Sequence, residues 1–276
     1  MKLAISSLAW KPGEDRAIAA VMRHFGLKGV ELVPTKIWPD LSEAPDKALQ
    51  QYRRFWNEEG FEIVSLQAIL FGKEHLNIFE SDETRKQCVD YFRHIFRVGQ
   101  ILGANVLIFG AIKNRLRQEP DNDKETEIAL KLFSQLGTLA KSHGLCLAIE
   151  PLPPQYGCNF ITSSSEGLDL VKRVNTLGFG LHLDAAAMYL KKEEIVASLK
   201  EAKERIAHFH ISEPYLAPIT NKGEVDFALY LRTLREIGYP NWCSIEMKEP
   251  SPKGSNIEAV QEALAFVTES IRATES

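Results

Sequence analysis

The chain has 276 residues, 45% hydrophobic and 25% charged, with a formal net charge of -4. That length and composition suit a globular protein with a sizeable core. The mild acidity, with no basic stripe interleaved with aromatics, argues against a nucleic-acid partner. No apolar run approaches the roughly 20 residues needed to span a bilayer. The first residues, Met1-Lys2-Leu3-Ala4-Ile5-Ser6-Ser7, turn polar too soon for a signal peptide, so a cytoplasmic protein is expected. Cys88, Cys146, Cys158 and Cys243 form no C-x-x-C pair. They read as reduced thiols, neither a disulfide frame nor a structural zinc site.

Apolar runs and helical stripes alternate along the whole chain. A strand over 3–8 leads to Trp10, and Ile18, Val21, Met22 and Phe25 give a helix over 14–25 its apolar face. The second strand, 29–33, is closed by Pro34, and a helix over 44–60 carries Leu49, Tyr52, Phe55 and Trp56. The third strand, 61–67, ends in Gln67, a polar group at the mouth, and the loop 71–79 is long enough to shape a pocket. A helix over 82–102 is ended by Gly103, and the fourth strand, 105–109, by Gly110. A polar loop over 111–123 follows, with Lys113, Asn114 and Arg115, and then a helix over 124–143. The fifth strand is 145–149. Ser163-x-x-Glu166 is a capping-box pattern that starts the next helix. The sixth strand is placed at 181–183 with its helix over 191–203, the seventh at 206–211 with 226–237, and the eighth at 242–247 with 256–272. Eight βα units without a linker predict a parallel sheet closed as a (β/α)8 TIM barrel, an α/β fold, in one domain over 1–276. The open doubly wound sheet is the alternative, but no G-x-G-x-x-G follows any strand.

The fifth strand is the informative one. Leu145-Cys146-Leu147-Ala148-Ile149 is a buried run that ends in Glu150 and is stopped by Pro151. A carboxylate at the end of a buried strand needs a partner. Three later strands end the same way, in Asp184, His210 and Glu246. In a barrel these positions form one side of the C-terminal rim, where chemistry resides. Side chains alternate along a strand, so Ala148, His182, His208 and Ser244 share the inward faces one layer below. Three crowded carboxylates repel unless a cation sits among them. Three oxygens and one imidazole suit Mn2+ or Mg2+, with Zn2+ or Co2+ as further options. Glu150 and Glu246 flank that centre, so one can take a proton α to a carbonyl and the other return one. For His182 and His208 a hydrogen-bonded core role is the simpler reading. Lys113 and Arg115 are by default solvated loop charges, and Trp10, Trp38, Phe71 and Tyr156 are either rim packing or substrate wall.

On Ile149-Glu150-Pro151, Leu183-Asp184, His208-Phe209-His210 and Ile245-Glu246, the chain resembles the xylose isomerase-like TIM-barrel superfamily of sugar phosphate isomerases and epimerases. It is similar above all to the branch holding D-tagatose 3-epimerase, over essentially the whole chain. The resemblance implies that Glu150, Asp184, His210 and Glu246 bind a divalent metal and that Glu150 and Glu246 are the acid–base pair. It implies a small carbohydrate as substrate. Two departures stand out: Ala187 occupies the place of the branch's substrate-contacting histidine and Leu216 that of its arginine. Gln67, Tyr156, His182 and Trp10 are further candidate substrate contacts. Glu213, Lys248, Lys113 and Arg115 are candidates to take over recognition, a basic pair suiting a phosphate or carboxylate. The competing readings are a metal-dependent dehydratase of an inosose- or dehydroshikimate-like substrate, an endonuclease IV-like repair enzyme, and a barrel that only binds a ligand. The first uses the same proton abstraction. The second lacks its extra metal ligands and a basic face. A homodimer is compatible with the sequence, which does not place an interface.

Overall fold

In the computed structural model, which describes residues 1–119, 123–250 and 254–273, eight parallel strands close in sequence order into a barrel. They are β1 Lys2–Ser6, β2 Gly29–Leu32, β3 Glu62–Leu66, β4 Val106–Phe109, β5 Cys146–Ile149, β6 Phe179–Asp184, β7 Ile206–Ser212 and β8 Trp242–Glu246. Closure runs through β1 and β8, with Ala4 opposite Ser244. Around the barrel lie nine α-helices among the described residues: α1 Asp15–His24, α2 Asp46–Glu58, α3 Asp82–Leu102, α4 Asp123–Ser142, α5 Ser164–Val174, α6 Ala185–Lys191, α7 Ile195–Ala202, α8 Phe227–Glu236 and α9 Asn256–Ala273. Residues 120–122 of the expected polar loop lie outside the described residues.

Local chemistry sets these boundaries. Ser81 caps α3 by accepting from the Thr84 N–H at 3.0 Å, and Gly103 ends it at φ 82°, a left-handed position that glycine takes without strain. At α5 the Ser163 hydroxyl accepts from the Glu166 N–H, while the Glu166 carboxylate accepts from Thr162 N–H at 2.7 Å. One expectation is corrected here. The sixth strand does not stop at 183, and the helix expected over 191–203, present as α7, is preceded by a short, unexpected helix. β6 runs to Asp184, and α6 begins at Ala185 because the Asp184 carboxylate accepts from the Ala187 N–H at 2.7 Å. Aspartate before an alanine run is a strong helix start. The helix is only seven residues long and carries no apolar stripe over several turns, which conceals it in the sequence.

The hydrophobic core lies between the outside of the barrel and the helices. Phe109 packs face to face on Phe92 of α3 and edge-on against Phe133 of α4, which stacks on Phe179. Because Phe109 faces outward, its neighbours Ile108 and Gly110 face the cavity. Trp10 belongs to the same core cluster. It is 1% exposed, lies 6.3 Å from the Trp56 ring, and donates from Nε1 to Asp15 at 2.8 Å. None of the described helices is long and apolar enough to cross a membrane. All four cysteines are free thiols.

Candidate metal centre and active site

The barrel interior is unusually polar. Most such barrels fill it with branched apolar side chains; here Glu31, His182, His208 and His210 occupy the middle, with Ser6, Ser65 and Ser244 as small neighbours, all buried. Strand register explains the layering: His182 lies opposite His208, Asp184 opposite His210 and His210 opposite Ser244, while Ser212 lies opposite Glu246.

Glu31 is the hub of the floor and was not among the residues singled out from the sequence. Its carboxylate accepts from the Ser65 hydroxyl at 2.6 Å and from Gln67 Nε2 at 2.9 Å, and it faces His210 Nε2 at 2.9 Å and His208 Nε2 at 3.0 Å. Burial pushes the Glu31 carboxyl up, but the two histidines outweigh it and hold it well below the usual range. His210 is shifted the opposite way. Burial favours its neutral form, yet Glu31 and Glu246 win and raise it well above an ordinary histidine. His182 is driven well down by burial and by its two histidine neighbours, so it is neutral. His208 is also lowered by burial, against the opposing pull of Glu31.

Above this floor lie the strand-end carboxylates. Ligand atoms of Asp184, His210 and Glu246 lie within 4.8 Å of one another. Glu150 joins them through His210, grouping with it and His182 within the same distance. Gly110 makes room for Glu150: a Cβ there would lie 2.0 Å from Glu150 Oε2. Burial, and then the charge of Glu246, push the Glu150 carboxyl up to about 8; the same two causes push Asp184 up to about 6. Asp184 is further held by the Ser212 hydroxyl and the α6 N-terminus.

A divalent cation fits this set. The Glu246 carboxylate raises the proton affinity of both Glu150 and Asp184, a crowding of negative charge that a cation would relieve. His210 Nδ1 is buried, 3.2 Å from Glu246 Oε2 but not aligned as a hydrogen bond, and His182 Nε2 is likewise without a hydrogen-bond partner. Glu31 accepts at Nε2 of His210, the usual outer support of a ligating imidazole, and leaves Nδ1 on the carboxylate side, where a cation would take the place of its proton.

The site opens into a cavity of about 740 Å³ lined by residues from the ends of most strands. Of the expected substrate contacts, Gln67, Lys113, Tyr156 and Glu213 line it. The Tyr156 hydroxyl accepts from the Tyr215 N–H at 3.1 Å, and Glu213 accepts from the Glu224 N–H at 3.0 Å and the Val225 N–H. Four others do not line it. Trp10 is in the core, and His182 lies beneath Glu150. Lys248 is exposed outside the cavity. Arg115 is fully buried in the 3-10 turn Lys113–Arg115, where Nη2 donates to the Glu150 carbonyl at 2.6 Å. The turn sends Lys113 outward and Arg115 inward, so the expected basic pair at the mouth is split and Arg115 braces the strand end instead.

A family model described as xylose isomerase-like TIM barrel matches residues 19–270. No curated protein sequence matches the chain. Among solved structures, an L-ribulose 3-epimerase superposes with a TM-score of 0.81 at 17% identity, covering 100% of this chain and 96% of its own. A D-psicose 3-epimerase determined in the presence of D-fructose gives 0.81 at 17%, covering 98% and 99%. An IOLI protein with a bound zinc atom gives 0.77 at 18%, covering 99% of each chain.

Proposed function

The chain belongs to the xylose isomerase-like TIM-barrel family, and from that premise and the site geometry we propose that it is a divalent-metal-dependent isomerase or epimerase of a sugar-like hydroxy-carbonyl compound. The observation that carries this reading is the convergence of Asp184, His210 and Glu246, with Glu150 beside them, at the floor of an open cavity. The two epimerases of the same fold, and separately the IOLI protein with its bound zinc atom, support it.

Glu150, Asp184, His210 and Glu246 would hold the ion, with Mn2+ or Mg2+ favoured by the oxygen-rich set and Zn2+ or Co2+ compatible with the imidazole. Once bound, the cation supplies Lewis-acid polarisation of a carbonyl. Glu150 from β5 and Glu246 from β8 carry the proton chemistry. One carboxylate accepts the proton from the carbon α to the carbonyl, leaving an enediolate. The other returns a proton, to the opposite face of that carbon for epimerisation or to the neighbouring carbon for isomerisation. The buried position of Glu150, which raises its proton affinity, suits a group that must hold a proton between the two steps. Ser212 and the Ala187 N–H fix Asp184, so the acid–base pair works against a rigid partner.

The test is solvent-deuterium incorporation followed by NMR, with Mn2+ present, over ketoses, ketose phosphates, hydroxy-ketones and inososes. Label appearing α to a carbonyl, and lost in Glu150→Gln, is the expected result. Loss of water from a substrate would instead identify a dehydratase. No label in any compound, with metal shown to be bound, would remove the proton-transfer reading.

A further inference from the structure

The cavity walls differ from its floor. Leu8, Ile69, Ile108, Ile112, Leu152 and Leu216 supply the sides, and the aromatic rings of Phe71, Tyr156 and Tyr215 stand at the mouth. Phe71 and Tyr215 are among the most exposed large hydrophobic side chains of the described residues, at 73% and 59%. Tyr156 and Tyr215 meet edge to face, with ring centroids 5.4 Å apart.

Several of the polar side chains that line the walls are turned back to the protein's own backbone. Asn114 Nδ2 donates to the Lys73 and Leu76 carbonyls at 2.7 and 3.1 Å. Gln155 Nε2 donates to the Leu190 carbonyl at 2.9 Å. Glu213 is occupied by two backbone N–H groups, and a Cβ on Gly223 would lie 2.0 Å from its Oε1, so the loop closes tightly over that carboxylate. Among the described residues Lys113 is the one cation lining the cavity. Its side chain is 72% exposed, and it lies 3.9 Å from Glu74.

The apolar wall is also held in place at a conformational cost. Tyr215 and Leu216 are consecutive non-glycine residues at φ 60° and 58°. Side chains rarely adopt that region, and it persists where the surroundings over-determine it. Here the Leu216 N–H donates to the Glu213 carbonyl at 3.0 Å, and its own carbonyl accepts from the Lys248 N–H at 3.1 Å, which locks the turn.

We infer that the substrate of this site is uncharged and two-faced, with its hydroxy-carbonyl oxygens at the floor and an apolar body, aryl or alkyl, against the walls and the aromatic mouth. A free ketohexose can lay its C–H face on an aromatic ring, but along the leucine and isoleucine walls its remaining hydroxyls would give up water for few partners. A phosphate would enter a cavity with carboxylates at its floor and one screened lysine at its edge, the opposite of what recognises it. The volume, about 740 Å³, leaves room for such a body beyond the reacting carbons. The inference rests on the proton-transfer reading for the placement of the oxygens, but its apolar half rests on the walls alone.

The experiment measures equilibrium binding and, separately, solvent-deuterium exchange for three probes on the Mn2+-loaded protein. The probes are phenylacetylcarbinol (an uncharged aryl hydroxy-ketone), D-fructose and fructose phosphate. Phenylacetylcarbinol is expected to bind at least about tenfold more tightly than either sugar. Leu216→Arg is expected to shrink that gap by weakening the aryl compound and strengthening fructose phosphate. Tighter aryl binding without exchange would sustain the substrate class and remove the proton-transfer reading. D-fructose or fructose phosphate binding as well as phenylacetylcarbinol, or no detectable binding by any probe, would overturn the inference.

Discussion

The floor and the mouth of the cavity are built on opposite principles. At the floor, Glu31 ties β2 to β3 and β7 through Ser65, Gln67, His208 and His210, so the charged groups are braced from across the barrel. At the mouth, polar groups turn back into the protein, and leucine, isoleucine and aromatic side chains are left facing the cavity. Charge buried with a full set of partners holds its geometry, whereas an apolar wall selects by shape and by withholding partners. The difference teaches where to look for each half of the proposed function: the braced centre for the proton chemistry, the apolar walls for the choice of substrate. Leu216 stands on the selective side of that divide, whereas Ala187 lies behind the wall, packed with Leu152 and Cys158.

The largest expected effects break the floor. Glu246→Gln and Glu150→Gln should each lower deuterium exchange by about 10²–10⁴-fold, the usual range for removing a positioned acid or base. Exchange at the unmodified rate in either variant would show that the proton moves by another route. Glu31→Gln touches no substrate, yet it removes the charge that directs His210. Mn2+ affinity, read by titration calorimetry, should fall by about 10–100-fold; unchanged affinity would leave Glu31 a structural group only.

A pH effect separates the two regions without mutation. In the metal-free folded protein Glu150 is raised to about 8 and His210 well above 6.5. The folded state therefore binds more protons than the unfolded chain, and its stability falls as pH rises from 6.5 through about 8. His182 and His208 are lowered and act in the reverse sense, but that contribution is lost as pH falls below their unfolded value of 6.5, so it lies outside this window. Thermal unfolding in a chelator should give a lower midpoint at the upper end of the window, and the gain on adding Mn2+ should grow with pH as the ion replaces protons. A metal-free midpoint that rises over the same range would contradict the proton count. The smallest effect belongs to the mouth: Lys113→Ala should change binding of an uncharged ligand by less than about threefold, since an exposed, paired lysine contributes little.

The barrel is legible in the sequence because each βα unit repeats the same signal, an apolar run followed by a helical stripe. Glu150, Asp184, His210 and Glu246 stand out because a charged residue at the end of a buried run has few explanations. The same rule marks Glu31 inside Gly29–Leu32, an apolar strand with one carboxylate in its middle. Its partners come from β3, β7 and β8, and such cross-barrel contacts have no sequence periodicity. Arg115 misleads for the opposite reason: a basic residue in a polar loop reads as solvated, and only the 3-10 turn shows that it points inward to the Glu150 carbonyl. Trp10 sits just past a strand end yet is claimed by Asp15 and Trp56. The short α6 escapes because seven residues are too few for a helical stripe.

The most direct test of the central claim is anomalous diffraction at the manganese edge from crystals grown with Mn2+. The account predicts one peak bound by Asp184, Glu246, Glu150 and Nδ1 of His210, with Nε2 of His210 still turned to Glu31. A peak seated instead among Glu31, His208 and His210, or no peak at the strand ends at saturating Mn2+, would contradict it.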